Sequence, residues 1–186
     1  MKKSDLWWLL GYPVYQIIGT ARHEAGHALV AMWQGATITK FMFIPGYVRE
    51  KFYFGYVRWS GGDTNWLVTA APYLLDLLTF AIFFVICFWG RFKRHWLWLN
   101  LVIFGVISPL VNSSHQYFWV GLHGGGDLGW LIKYEEPVYV HAYMISTIVL
   151  YLVGWVLLFT ESAHIYARRS TAVSMEQPQW KEPINV

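Results

Sequence analysis

The stretch WLVTAAPYLLDLLTFAIFFVICFW, Trp66–Trp89, carries one charged residue, Asp76, in 24 positions. A bilayer core takes roughly 20 apolar residues per helix, so this stretch reads as a transmembrane span. Residues 138–160 read the same way, with no Asp, Glu, Lys or Arg and one histidine, His141. The composition agrees. Of 186 residues, 56% are hydrophobic, 19% aromatic and only 13% charged, against roughly 25% charged in a soluble domain. Mean hydropathy is +0.35. These values exclude disorder, collagen and a disulfide scaffold, and they argue for a membrane protein. The single cysteine, Cys87, lies in an apolar run and can form no internal disulfide. A net charge of +3 is too mild for nucleic acid. The basic residues flank apolar runs and suit lipid headgroups.

Two further spans are expected. Residues 96–111 are apolar, and Asn112-Ser113-Ser114-His115 then interrupts them, which predicts a broken helix or a re-entrant piece. Residues 6–33 hold an apolar first half and a polar cluster, Arg22 to His27, before 28–33 turn apolar again. Lys2 and Lys3 also fit a signal peptide, but the polar cluster and Pro13 favour an uncleaved helix. Between the first two spans, 36–59 is β-branched and aromatic, punctuated by Pro45-Gly46, and predicts two or three short strands. The sequence thus predicts an α-helical bundle of about four transmembrane helices with a short β element after the first. One domain is expected over 1–169, followed by a polar tail over 170–186 expected to be disordered.

The chemistry concentrates in His23-Glu24-Ala25-Gly26-His27. Helix positions i and i+4 share a face, so both imidazoles can reach one metal ion. Glu24 sits about 100° round the helix, poorly placed as a ligand but able to touch water bound to the metal and act as general base. The bland alternative is a polar helix end with Glu24 paired to Arg22. Ionisable residues inside a span are costly and default to function, which favours the metal. A catalytic zinc takes three protein ligands. Asp127, in His123-Gly-Gly-Gly-Asp127, is the candidate third ligand, its three glycines letting the backbone approach the metal helix; a helix N-cap is the structural alternative. His123 is an alternative ligand or a residue that orients one. Asp76, a rival ligand, reads equally as a partnered structural carboxylate, bonded to Tyr73 or a histidine, and as a group that lines a cavity or orients a ligand. His115 is expected at the surface.

The segment from Arg22 to Gly35, RHEAGHALVAMWQG, followed by strands and then by Ala70-Ala-Pro-Tyr-Leu-Leu75, resembles the site-2 protease family of intramembrane zinc metalloproteases. The resemblance spans about residues 6–132. It implies one zinc per chain held by His23, His27 and Asp127, with Glu24 as the catalytic base. It also implies a membrane-embedded protein as substrate, in the lipid bilayer. The sequence departs from the family in having Asp127-Leu128-Gly129 for its Asp-Gly, and Ala71 where a glycine usually precedes the proline.

The function expected is therefore hydrolysis of membrane-embedded peptide segments by a zinc metalloendopeptidase. Its β element is expected either to hold unwound substrate by strand addition or to serve as a lid. Two other classes remain open: a non-proteolytic zinc-binding membrane protein, and an ion transporter using Asp76, Asp127 and the histidines.

Overall fold

The computed structural model describes residues 11–48, 50–90, 92 and 94–175, with 161–175 described as backbone alone. Helix α1 is Tyr12–Trp33. Pro13 in its first turn supplies a pre-set φ. Its end is set by Gly35, at φ 82°. Gly35 N–H donates to Met32 O and Ala36 N–H to Ala31 O, the Schellman pair that satisfies the last carbonyls.

Four strands follow: β1 Thr37–Met42, β2 Gly46–Val48, β3 Lys51–Tyr53 and β4 Tyr56–Ser60. They form two antiparallel pairs, β1 with β4 and β2 with β3 nested between them. The outer register runs from Thr37 opposite Ser60 to Met42 opposite Tyr56. The expected two or three strands are thus four. Pro45, lacking an N–H, separates β1 from β2 on one side of the hairpin, and Gly55 separates β3 from β4 on the other.

Helix α2, Trp66–Trp89, starts at Asn65, whose side chain accepts from Leu67 N–H. Gln34 and Asn65 exchange two hydrogen bonds of 2.9 and 3.0 Å, which ties the end of α1 to the start of α2. Helix α3 runs unbroken over His95–His123, with π-helical turns at Ile103–Ile107 and His115–Val120. This corrects the expected break after residue 111. The polar cluster is no interruption, because Asn112 and Ser113 are buried against other helices. Short helix α4, Gly126–Tyr134, and long helix α5, Pro137–Met175, complete the fold. The backbone stays helical through 170–175, the start of the expected tail, while 176–186 and the first residues of the expected span 6–33 lie outside the described residues.

Three helices are long and apolar enough to cross a bilayer: Trp66–Trp89, His95–His123 and Pro137–Thr160. Helix α1 has the length, at 22 residues, but its polar cluster keeps it out of that group. It does share their inverted burial. It buries Thr20, His23, Glu24 and His27 and exposes Val14, Leu29 and Trp33. In water such a surface would be a large apolar patch.

The helices meet over small residues and a buried polar network. A Cβ on Gly26 would lie 2.8 Å from Pro72 Cα, so only glycine lets α1 cross α2 there. Arg22 Nε donates to Asp76 Oδ1 at 2.7 Å, and Asn112 Nδ2 donates to Asp76 Oδ2 at 2.7 Å. The other Arg22 nitrogens reach Phe104 O and Ser108 Oγ, each at 3.3 Å. The Phe104 carbonyl is free for a reason written in the sequence. In the π turn, Ser108 N–H bonds Ile103 O, and the next bond of that series would need an N–H on Pro109, which has none. Asp76, fully buried at 0% exposure, therefore joins α1, α2 and α3, with Arg22 and Asn112 as partners in place of the expected Tyr73 or histidine.

Asp76→Leu strands Arg22 and Asn112 without their acceptor. It should destabilise the detergent-solubilised chain by about 3–5 kcal/mol, the cost of leaving a buried charge uncompensated. Asp76→Asn, which keeps one acceptor oxygen, should cost less. Unfolding midpoints measure both, and an unchanged midpoint in Asp76→Leu would contradict the network's role.

Candidate metal centre

Helix α1 places His23 and His27 one turn apart, both buried, with ring centroids 5.1 Å apart. Helix α4 brings Asp127 to them. Its Oδ2 lies 3.2 Å from His23 Nε2 and 3.1 Å from His27 Nε2. Among the described residues these three form the one group of His, Cys, Asp or Glu whose ligand atoms could share an ion, all within 4.8 Å of one another.

Proton accounting places a positive charge within the cluster. His27 Nδ1 is 2.7 Å from Val68 O. A carbonyl only accepts, so Nδ1 carries the proton and donates it. In a neutral imidazole the other nitrogen then holds a lone pair. That lone pair faces a carboxylate oxygen at 3.1 Å. Two acceptors in contact repel unless a cation lies between them, either a second proton on the ring or a metal. The spacing fits a hydrogen bond from a protonated ring and equally a shared metal. Ligands bound at about 2.0–2.1 Å in tetrahedral array lie about 3.3 Å apart, close to the separations of 3.2 and 3.1 Å here.

The acceptor in this arrangement depends on a proline. Val68 is four residues before Pro72, whose missing N–H leaves the Val68 carbonyl without its helical partner. His27 supplies the donor. The helix irregularity thereby fixes the proton on Nδ1 and turns Nε2 toward Asp127, the arrangement that outer partners produce around metal-bound histidines. His23 has no equivalent support. Its Nδ1 is buried without a hydrogen-bond partner, as is the Tyr73 hydroxyl, and the two rings meet edge-on at 5.7 Å.

Asp127 does not cap α4. The cap position is Gly125, with no side-chain cap bond, and Asp127 stands in the first turn. The glycines before it serve the turn rather than a close approach to α1. Gly124 and Gly126 have φ of 75° and 60°, the left-handed region glycine occupies without strain. A Cβ on Gly126 would meet Val120 and Gln116, not α1.

Glu24 is buried at 8% exposure beside the two histidines. Arg22 bonds Asp76 rather than Glu24, so the Arg22–Glu24 pairing considered from sequence does not form. The sheet covers Glu24. A Cβ on Gly55 would lie 2.6 Å from Glu24 Oε1 and 2.7 Å from its Cγ, and Trp59 of β4 stacks on His27 with centroids 6.3 Å apart. The other candidates stand apart. His123 and His115 are exposed, neither belongs to the cluster, and His141 pairs with the Tyr117 hydroxyl at 2.9 Å. Gly55, Trp59 and Val68 carry no sequence signal of their own, but Pro72 inside a span does flag an unpaired carbonyl four residues earlier.

No protein-family model matches the chain, and comparison with curated proteins and with solved structures finds no match.

Pro72→Ala restores an N–H that competes for the Val68 carbonyl and loosens His27. Metal affinity should fall about 10–100-fold, the usual cost of losing an outer partner. Competition with a chromogenic chelator measures it. Unchanged affinity in a folded Pro72→Ala chain would remove Val68 from the account.

Proposed function

We propose that this chain is a zinc-dependent intramembrane endopeptidase of the site-2 protease type, with α1 as a fourth membrane span beside the three apolar helices. The observation that carries the reading is the buried Glu24 carboxylate beside a two-histidine, one-aspartate group whose facing acceptors call for a cation. The inverted burial of α1 supports its place in the bilayer, since its apolar side chains face outward and its ionisable ones inward.

His23, His27 and Asp127 would hold the zinc, a donor set with one anion and two neutral imidazoles, common among catalytic sites. Zinc there supplies Lewis acidity, which acidifies water and polarises a carbonyl oxygen. Glu24 takes a proton from the water that attacks the peptide carbonyl, and later delivers it to the leaving nitrogen. A carbon–oxygen bond forms, the carbon–nitrogen bond breaks, and the products are a carboxylate and an amine. Gly55 packs against Glu24 and holds it in place, and Trp59 of β4 stacks on His27.

A purely metal-binding protein needs the three ligands but has no use for a carboxylate at position 24. An ion path through Asp76 fits poorly, because Arg22 and Asn112 already occupy both its oxygens.

Glu24→Gln should keep zinc and fold while lowering cleavage of a membrane-embedded reporter by about 10²–10⁴-fold, the usual worth of a general base. Asp127→Asn should weaken both zinc content and cleavage, because an amide oxygen is a poorer ligand than a carboxylate. Equal cleavage by wild type and Glu24→Gln would refute the hydrolytic reading. Gly55→Ala tests the packing of the base. The added methyl displaces Glu24, so cleavage should fall at least tenfold with zinc unchanged, since one ångström of misplacement costs about 10²-fold.

A further inference from the structure

Among the described residues three buried side-chain atoms lack a hydrogen-bond partner: the Tyr12 hydroxyl, His23 Nδ1 and the Tyr73 hydroxyl. Two of them belong to side chains in contact. Tyr73 meets the His23 ring edge-on, with centroids 5.7 Å apart, and the two residues are 2% and 7% exposed. Tyr73 is also held firmly. It belongs to the apolar cluster of Leu128, Met144 and Ile148, and the Tyr143 hydroxyl of α5 donates to its carbonyl at 3.0 Å. Phenylalanine would fill that cluster equally well. A buried hydroxyl left unbonded is a net loss, so packing alone does not account for a tyrosine.

The two histidines differ in what their rings face. His27 Nδ1 faces a carbonyl, which only accepts, so its proton is committed. His23 Nε2 lies 3.2 Å from Asp127 Oδ2 and can donate to it. Without a metal the His23 proton then belongs on Nε2, and Nδ1 presents a lone pair. A metal takes the lone pair at Nε2, which moves the ring's proton to Nδ1. That nitrogen must therefore accept in one state and donate in the other. A carbonyl could serve only one of these states, whereas a hydroxyl serves both.

We propose that the Tyr73 hydroxyl is the partner of His23 Nδ1, directly or across one water, and that it turns from donor to acceptor when a metal binds. The inference rests on a metal shared by His23, His27 and Asp127, and does not need hydrolysis. The ring keeps one proton throughout, on Nε2 before binding and on Nδ1 after it. Tyr73 is a positioning residue, acting on the metal through His23. One histidine has its proton set by Val68 in advance, and the other is converted as the ion enters.

The test uses the full chain in detergent with nitrogen-labelled histidine, with and without zinc. The His23 resonances are identified by their loss in His23→Ala. Wild type should carry the proton on Nε2 without zinc and on Nδ1 with it. Tyr73→Phe should move the Nδ1 resonance in both states and speed solvent exchange of the zinc-bound Nδ1–H, while the His27 resonances stay in place. A role in packing alone would not single out one nitrogen of one ring. Zinc affinity, by chelator competition, should fall about tenfold in Tyr73→Phe. That is the low end of the usual cost of losing an outer partner, because the hydroxyl serves the metal-free ring as well. The unfolding midpoint should fall too, and a raised midpoint, the gain from deleting an unbonded hydroxyl, would count against the pairing. Unmoved Nδ1 resonances in a folded Tyr73→Phe chain would overturn the proposal and leave the metal centre standing. If wild type takes up no zinc, the metal centre fails, and the metal-free Nδ1 resonance still decides the pairing: moved by Tyr73→Phe it stands, unmoved it falls.

Discussion

One hydrogen bond sets the chemistry of this fold: the 2.7 Å contact by which His27 Nδ1–H donates to the Val68 carbonyl. It exists because Pro72 cannot fill that acceptor from within its own helix. Once the proton is committed there, the other ring nitrogen turns a lone pair toward Asp127, and the pocket calls for positive charge. The same device appears again in α3. Pro109 leaves the Phe104 carbonyl open, and Arg22, the residue before His23, takes it. Two prolines within apolar helices thus supply acceptors at depth, where an unsatisfied carbonyl would otherwise cost several kcal/mol.

The rest of the structure holds α1 against these acceptors. Glycine at position 26 permits the crossing on Pro72, and the exchanged amides of Gln34 and Asn65 fix the ends of the two helices. Asp76 then locks α1 to α2 and α3 through Arg22 and Asn112. The aromatic core around Phe80, Trp98 and Tyr151 joins α2, α3 and α5 and takes in only Tyr12 and Tyr15 from the start of α1, the rest of which meets its neighbours through polar contacts and small residues. That division suits an environment in which apolar burial gives little driving force between helices, and packing and interhelical hydrogen bonds do the work.

Much of this was legible in the residues. Trp66–Trp89 announced itself by length and hydropathy, and the i, i+4 histidines by spacing alone. Asp127 could be proposed as a ligand but not placed, since one carboxylate before an apolar run is also a common cap. The polar run at 112–115 misled because its partner, Asp76, is 36 positions away from Asn112, and local polarity cannot reveal a distant acceptor. The strand count was missed because Pro45 and Gly55 lie across the hairpin from each other, a relation that exists only once the register is set. Gly55 itself reads as an ordinary turn residue until Glu24 is seen beneath it. Three glycines in a row at 124–126 suggest a close backbone approach, whereas the positive φ of Gly124 and Gly126 serves the turn into α4.

The claim at the centre is that two imidazole nitrogens and a carboxylate oxygen share one zinc ion. Zinc-edge X-ray absorption on the purified chain measures this directly. The account predicts scattering from nitrogen and oxygen neighbours alone at about 2.0–2.2 Å, including the imidazole outer-shell pattern of two histidines, with that pattern reduced by half in His27→Ala. A sulfur neighbour at about 2.3 Å, which would have to come from Cys87, the single cysteine, or an imidazole pattern unaltered in His27→Ala, would contradict it.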